Sequence, residues 1–196
     1  GPEAGEIIQG LAVAIKADKY FDWNAPVKLG RGKTSDKAPN APVKDGAAAV
    51  SVAVDAKGQF GTMHAGNYFY AVAAVNRYGE SELVLLNDDA QAVGATQSVA
   101  LKFTGAVSSA YPETCYVIYR TEANPADKNV ADFYPIFKVS KTELVAGWDG
   151  AEAGSVHDRN RWIAGTKSAL VYFNGSEMLE YLELGGTMKL GYAIVG

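Results

Sequence analysis

From residue 49 onward, apolar positions recur at every second residue in short runs, which is the period of strands rather than helices. The pattern predicts strands over AVSVAVDA (49–56), NYFYAVAAVN (67–76), SELVLLN (81–87), QSVALKFT (97–104), CYVIYR (115–120) and FYPIFKVS (133–140). Tyr68, Tyr70, Val72 and Ala74 point to one face of 67–76, and Phe69, Ala71, Ala73 and Val75 to the other, so both faces of this strand are to be covered. In 97–104, Val99, Leu101 and Phe103 alternate with Ala100 and Lys102, which assigns one face to the core and one to solvent. Pro135 removes a ladder donor from 133–140, so that strand belongs at a sheet edge or contains a bulge. Turn residues punctuate the runs: Gly58, Gly61, Gly79, Asn87-Asp88-Asp89, Gly105, Asn124-Pro125 and Gly147.

The ends of the chain differ from this middle. Ile7, Ile8, Leu11, Ala12 and Ile15 lie at helical spacing between Glu3 and Lys19, although Val13 and Ile15 also fit a strand. Residues 21–46 hold Pro26, Pro39 and Pro42 with Gly30, Gly32 and Gly46, a composition that predicts an extended, solvated arm. Beyond 140, Trp148–Asn160 reads as a Gly- and Asp-containing loop, SALVYFN (168–174) as a strand, and the stretch after Ser176 as a short capped helix stopped by Gly185-Gly186. The expected organisation is an N-terminal segment and arm (1–46), a β-sandwich (47–160) and a C-terminal segment (161–196). The fold class is mainly β, a sandwich with terminal extensions containing short helix or strand.

Composition narrows the functions. The chain has 196 residues, 48% hydrophobic and 20% charged, which suits a folded chain rather than a disordered one. A net charge of −4 offers no basic footprint for nucleic acid. No stretch approaches the roughly 20 apolar residues of a spanning helix, and no targeting leader is evident at the N-terminus. The single cysteine, Cys115, falls in an apolar strand and reads as a buried hydrophobe.

Candidate chemistry is sparse. VKLGRGKT (27–34) ends like a phosphate-binding loop but has Val27 where that loop needs glycine. His64 and His157 lack metal-ligand spacing and read as solvated or hydrogen-bonded side chains, and no Gly-x-Ser-x-Gly elbow occurs. Asn87-Asp88-Asp89 could offer calcium oxygen ligands, but polar turns of this kind more often only solvate. Asn174-Gly175-Ser176 matches a glycosylation acceptor and reads here as a turn. These readings predict no catalytic residue, no metal and no cofactor. Trp148 and Trp162, in loops with Trp23, are the aromatic residues placed for contacts outside the domain.

The strands at 67–81 and 115–125 resemble those of fibronectin type III and other immunoglobulin-like domains. A wider stretch, roughly 40–196, resembles the middle of a tailed-bacteriophage major capsid protein, some of which carry an inserted immunoglobulin-like domain. The discriminating part is the closing segment HDRNRWIAGTKSALVYFNGSEMLEYLELGGTMKLGYAIVG, with Asp158, Asn160, Gly165, Thr166, Met188 and Lys189 in the family's order and Ala164 where proline is usual. The resemblance implies a virion protein that assembles with copies of itself or neighbouring capsid subunits, and a chain that is an excised fragment or an unusually short relative. Under it, Trp148, Arg159, Arg161 and Trp162 are the expected interface, since desolvated Trp and Arg dominate association. The alternative is an extracellular carbohydrate- or protein-binding module of immunoglobulin-like fold, motivated by the aromatic content.

Overall fold

A strand with alternating polarity buries one face, whereas a strand apolar on both faces needs a layer on each side. Both kinds occur in the computed structural model, which describes residues 25–106, 110–162 and 164, all within the unit Asn24–Thr166. Among the described residues the fold is mainly β, with eleven strands and one short helix. In one sheet, β1 (Val43–Lys44), β2 (Val50–Val54) and β11 (Ser155–Asp158) all pair antiparallel with β8 (Gln97–Thr104). The other sheet runs β10 (Phe133–Ser140), β9 (Cys115–Thr121), β4 (Tyr70–Asn76), β5 (Gly79–Glu80), with β6 (Val84–Leu85) also on β4. A small two-stranded sheet pairs β3 (Gly66–Tyr68) antiparallel with β7 (Gln91–Val93).

The two main sheets close on one core. Val99, Leu101, Phe103 and Val156 of the first meet Tyr70, Val72, Tyr116, Ile118 and Val139 of the second. The expected inward face of β8 is the observed one, with Val99, Leu101 and Phe103 fully buried. Tyr68, Tyr70, Tyr116 and Tyr119 are likewise interior. Pro135 lies both on a sheet edge and beside a bulge, since the register of β10 on β9 shifts between Pro135 and Phe137.

Several expectations need correction. The strand read at 81–87 shrinks to Val84–Leu85, because Ser81 is diverted: its Oγ accepts from Ala74 N at 2.9 Å and donates to Glu82 O at 2.8 Å. Part of the loop expected over Trp148–Asn160 is strand β11, paired along β8 from Lys102 to Val99. A helix, α1 (Lys141–Ala146), follows β10 through a capping box in which Glu143 N donates to Ser140 Oγ and Ser140 N donates to Glu143 Oε2. Cys115 is half-buried rather than buried, because it begins β9 at the sheet's end. The helix expected over 3–19 and the strand and helix expected beyond 167 lie outside the described residues.

The described part of the expected solvated arm is instead held on the sandwich. Phe69, Ala71, Ala73, Val117, Tyr119 and Phe133 are buried yet lie outside the inter-sheet core, as their strand parity requires. Residues 25–42 run across this outer face. Val27 bridges Phe133 through two backbone hydrogen bonds of 2.9 and 2.8 Å. Arg31 sits over the Tyr119 ring on β9, 5.9 Å from its centroid. Thr34 then reaches β5, accepting from Glu80 N at 2.8 Å and donating its own N–H to Glu80 O at 3.0 Å. Ala38 is buried, and Asn76 Nδ2 donates to Lys37 O at 2.9 Å. Polar and Pro-rich composition marked this stretch as irregular backbone; irregular backbone can still cover a sheet when its hydrogen bonds go to the sheet's edges.

A covered outer face makes a specific prediction. Ala71→Asp is expected to destabilise the chain by at least about 3 kcal/mol in urea unfolding, as an uncompensated buried charge does. A loss within about 0.5 kcal/mol, the surface range, would mean that this face is open to water.

Candidate functional site

The polar interior gathers where the chain leaves β11. Along β9 the inward parity runs Tyr116, Ile118, Arg120, so the third inward position carries a guanidinium with 1% of its surface exposed. A buried cation is tolerable only with a counter-charge and with its N–H groups bonded. Asp158, at the end of β11 in the opposite sheet, accepts from Arg120 Nη1 at 2.6 Å and from the Tyr70 hydroxyl at 2.9 Å. Arg120 Nη2 donates to Asn160 Oδ1 at 2.7 Å and to the Trp162 carbonyl at 3.0 Å. The guanidinium also lies over the rings of Phe60 and Tyr68, with Cζ 5.2 and 5.1 Å from their centroids. Burial opposes its charge, but the facing Asp158 carboxylate more than offsets this and the Arg120 pKa is raised. Burial first, then the Asp158 charge, pushes the Tyr70 phenol well above its ordinary range, so Tyr70 remains a neutral donor.

The turn that follows sorts its side chains by parity. Asn160 N donates to Asp158 Oδ1 at 2.8 Å, and Asn160 takes a φ of 57°, a left-handed conformation that Asn tolerates. Asp158 and Asn160 thus face Arg120, while Arg159 and Arg161 turn toward the 147–154 loop. Arg159 Nε donates to Asp55 Oδ2 at 2.6 Å, and its Nη1 donates to the Asp149 carbonyl and pairs with Asp149 Oδ1 at 2.7 Å. Arg161 Nη2 shares that same Asp149 Oδ1 at 2.8 Å. Gly147 is required at the start of this loop, because a Cβ there would come within 2.2 Å of the Ala151 carbonyl oxygen.

The loop and the turn present an aromatic stack. The Trp148 ring lies on Phe137 of β10 with centroids 4.4 Å apart and planes 24° apart. Trp162 leans on both, 5.8 Å from Phe137 and 6.2 Å from Trp148. Trp162 is 47% exposed and the Arg161 side chain 44%, so these two form the open part of the cluster. The four residues expected as an interface are therefore neighbours. Arg159 differs from the others in being buried, with its charge spent on Asp55 and Asp149.

Other candidates resolve differently. In Asn87-Asp88-Asp89, Asn87 is buried and accepts from Tyr70 N at 2.8 Å while donating to the Tyr68 carbonyl at 2.9 Å, repairing the break between β3 and β4. Asp88 pairs with Lys44 at 3.0 Å and Lys128 at 3.6 Å. Among the described residues no group of three acidic, His or Cys side chains could hold a metal. His157 Nδ1 lies 3.3 Å from the Asp149 carbonyl oxygen, and the His64 carbonyl accepts from the Tyr68 hydroxyl. Lys28, Arg31 and Thr34, from the stretch ending like a phosphate loop, bind the sandwich instead.

Sequence reasoning missed Arg120, Tyr70, Asp55 and Asp149. Only Arg120 left a signal, as a charged residue at an inward position of an apolar strand. No protein-family model, curated protein or solved structure matches the chain.

The Arg159 hydrogen bond, followed by that from the Lys57 amide, lowers the Asp55 pKa from 3.8 to about 2. A carboxylate with a depressed folded-state pKa contributes stability above its unfolded pKa and loses that contribution as pH falls through the folded value. The stability advantage of wild type over Asp55→Asn is therefore expected to be full at pH 5 and to shrink between pH 4 and 2. Parallel urea unfolding curves across this range check it, and a pH-independent difference would refute the pairing.

Proposed function

We propose that this chain is a structural virion protein, a component or surface-decorating domain of a bacteriophage capsid that acts by assembly rather than turnover. Its two-sheet architecture supports reading the domain as immunoglobulin-like or fibronectin type III-like. The partners on this reading are other copies or neighbouring capsid subunits, and its location is the virion. The position of the sandwich within the chain agrees with an inserted domain, since sequence flanks Asn24–Thr166 on both sides.

One observation carries the reading: Trp162 and Arg161 stand open on a rigid base. Their backbone is fixed by Arg120 through the Trp162 carbonyl, and their rings and charges rest on Phe137, Trp148 and Asp149. A preformed Trp–Arg pair loses little freedom on binding, which is what favours such residues in interfaces. In the closing-segment resemblance, Asp158 and Asn160 are the residues that hold this turn.

A second reading draws on the same aromatic surface. Trp162 on its stack also suits a sugar ring, as in an extracellular binding module of immunoglobulin-like fold.

Combined Trp162→Ala and Arg161→Ala substitution in the full chain is expected to weaken self-association about 30-fold or more, the effect of losing some 2 kcal/mol at a hot spot. Sedimentation at rising concentration, with electron microscopy of the assemblies, reads this out. Unchanged association with the fold intact would remove the site. Glycan binding lost in the same variant, without any self-association of wild type, would favour the second reading over the first.

A further inference from the structure

We propose that β2 is a self-pairing edge, through which two copies of the chain join antiparallel about a two-fold axis at Val52. An exposed strand edge offers bare N–H and C=O groups to any extended backbone, so folded domains cover, interrupt or charge their edges. The other edges here are so treated, or are only two or three residues long. β10 carries Pro135 and is bridged at Phe133 by Val27 of the strap that residues 25–42 form. β5 exchanges bonds with Thr34 of the same strap. β11 takes Trp148 on its outer side through bonds of 3.0 and 3.3 Å, and β3 takes Asn124. β2 has no such cover. Its bonds to β8 leave from odd positions, since Lys102 N donates to Ala49 O at 2.7 Å and Asp55 N to Thr96 O at 3.0 Å, in a register unbroken between them. Val50, Val52 and Val54 therefore turn their N–H and C=O groups outward, and among the described residues none of these groups is hydrogen-bonded. The strand, VSVAV, holds neither charge nor proline.

The occupant follows from the parity of β2 itself. When Val52 faces Val52 of a second copy, Val50 faces its Val54, and every outward group at these valines meets a partner. On the solvent face this register sets only Ser51 against Ala53, so no like charges meet. The inward side is complementary as well. Val54 continues the inward row of Val50 and Val52, which pack on the core, yet it stands 82% exposed. In the symmetric register it comes beside Val50 of the other copy, at an open cleft of about 560 Å³ bordered by Ala47, Val50, Asp88 and Asp89. The turn after β2 arrives at the same cleft with Lys57, which is exposed and whose ammonium has no partner among the described residues; nor has the exposed Asp89 carboxylate. An apolar knob, a cleft, an unpaired cation and an unpaired anion thus lie along one edge in the order that a two-fold axis requires. An unrelated extended peptide would use the backbone alone. The contact goes beyond the assembly reading and stands without it, since it uses neither Trp162 nor Arg161. Strands this short bury less than the roughly 1,200 Å² of stable complexes, so the dimer is weak and forms where copies are concentrated.

Sedimentation of the full chain reads the contact directly. Wild type is expected to dimerise with a Kd on the order of 100 µM, as a small transient contact does. Val54→Pro removes one outward donor and no bond to β8, and it changes only an exposed side chain. This variant is expected to keep the wild-type melting temperature within about 3 °C while weakening dimerisation at least about tenfold. A wild type that stays monomeric at about 1 mM, roughly ten times the expected Kd, overturns the proposal. So does a dimer that Val54→Pro leaves intact and Trp162→Ala with Arg161→Ala abolishes, since it belongs to the turn patch instead. Cross-linking on a Cys115→Ser background tests the register. Ser51→Cys and Ala53→Cys in different copies face each other as a non-hydrogen-bonded pair about 4.5 Å apart at Cα, within disulfide reach. Chains carrying one cysteine each are expected to link on mixing faster than copies of either variant alone. Equal linking in all three samples, or none, refutes the register and with it the proposal, whether or not Val54→Pro folds.

Discussion

The structure turns on one buried ion pair. Arg120 and Asp158 stand in opposite sheets, each with 2% of its side chain exposed, and they meet at 2.6 Å. Removing two such charges from water costs several kcal/mol per ion, so the pair is tolerable only because both Asp158 oxygens and both Arg120 Nη atoms are hydrogen-bonded, Nε being left without a hydrogen-bond partner. Tyr70 serves the carboxylate, Asn160 and the Trp162 carbonyl serve the guanidinium, and Phe60 and Tyr68 supply aromatic faces. Apolar packing would join two sheets in many registers. A charge pair with directed hydrogen bonds restricts them to one, and the same bonds aim the backbone that follows β11.

That aim links the interior to the surface. Alternate residues of the 158–162 turn face inward to Arg120 and outward to Asp149, so the position of Trp162 and Arg161 is set from within the core. On the far side of the five-stranded sheet, Arg31, Glu80 and Tyr119 repeat the device at lower burial, tying residues 25–42 over an otherwise apolar face. The described unit therefore has three layers, two sheets and a strap, and each join includes an arginine paired with a carboxylate. The patch at the turn is the surface on which the assembly reading rests.

The strands were legible because period-2 alternation is a local property. The two-faced burial of β4, the one-faced burial of β8 and the edge position of Pro135 all follow from side-chain parity along single segments. β11 was not legible, because SVHD has only one apolar residue and becomes a strand by pairing with β8, about fifty residues earlier. The strap was misread because its composition reports polarity and prolines, not where its hydrogen bonds go. The four candidate site residues were named from their type and loop setting. The burial of Arg159 was not legible, because Asp55, its partner 104 residues away, is beyond any local pattern. Arg120 was the readable exception, since a charge at an inward strand position demands a counter-charge somewhere.

A double-mutant cycle on Arg120 and Asp158, with tryptophan emission recorded alongside unfolding, tests the central claim most directly. The account predicts that Arg120→Met and Asp158→Leu are each strongly destabilising alone, that the double variant is much less so than their sum, with a coupling of about 2–3 kcal/mol, and that each single variant shifts the emission of the Trp148–Trp162 cluster. Effects that add within about 0.5 kcal/mol, with emission unchanged, would contradict it.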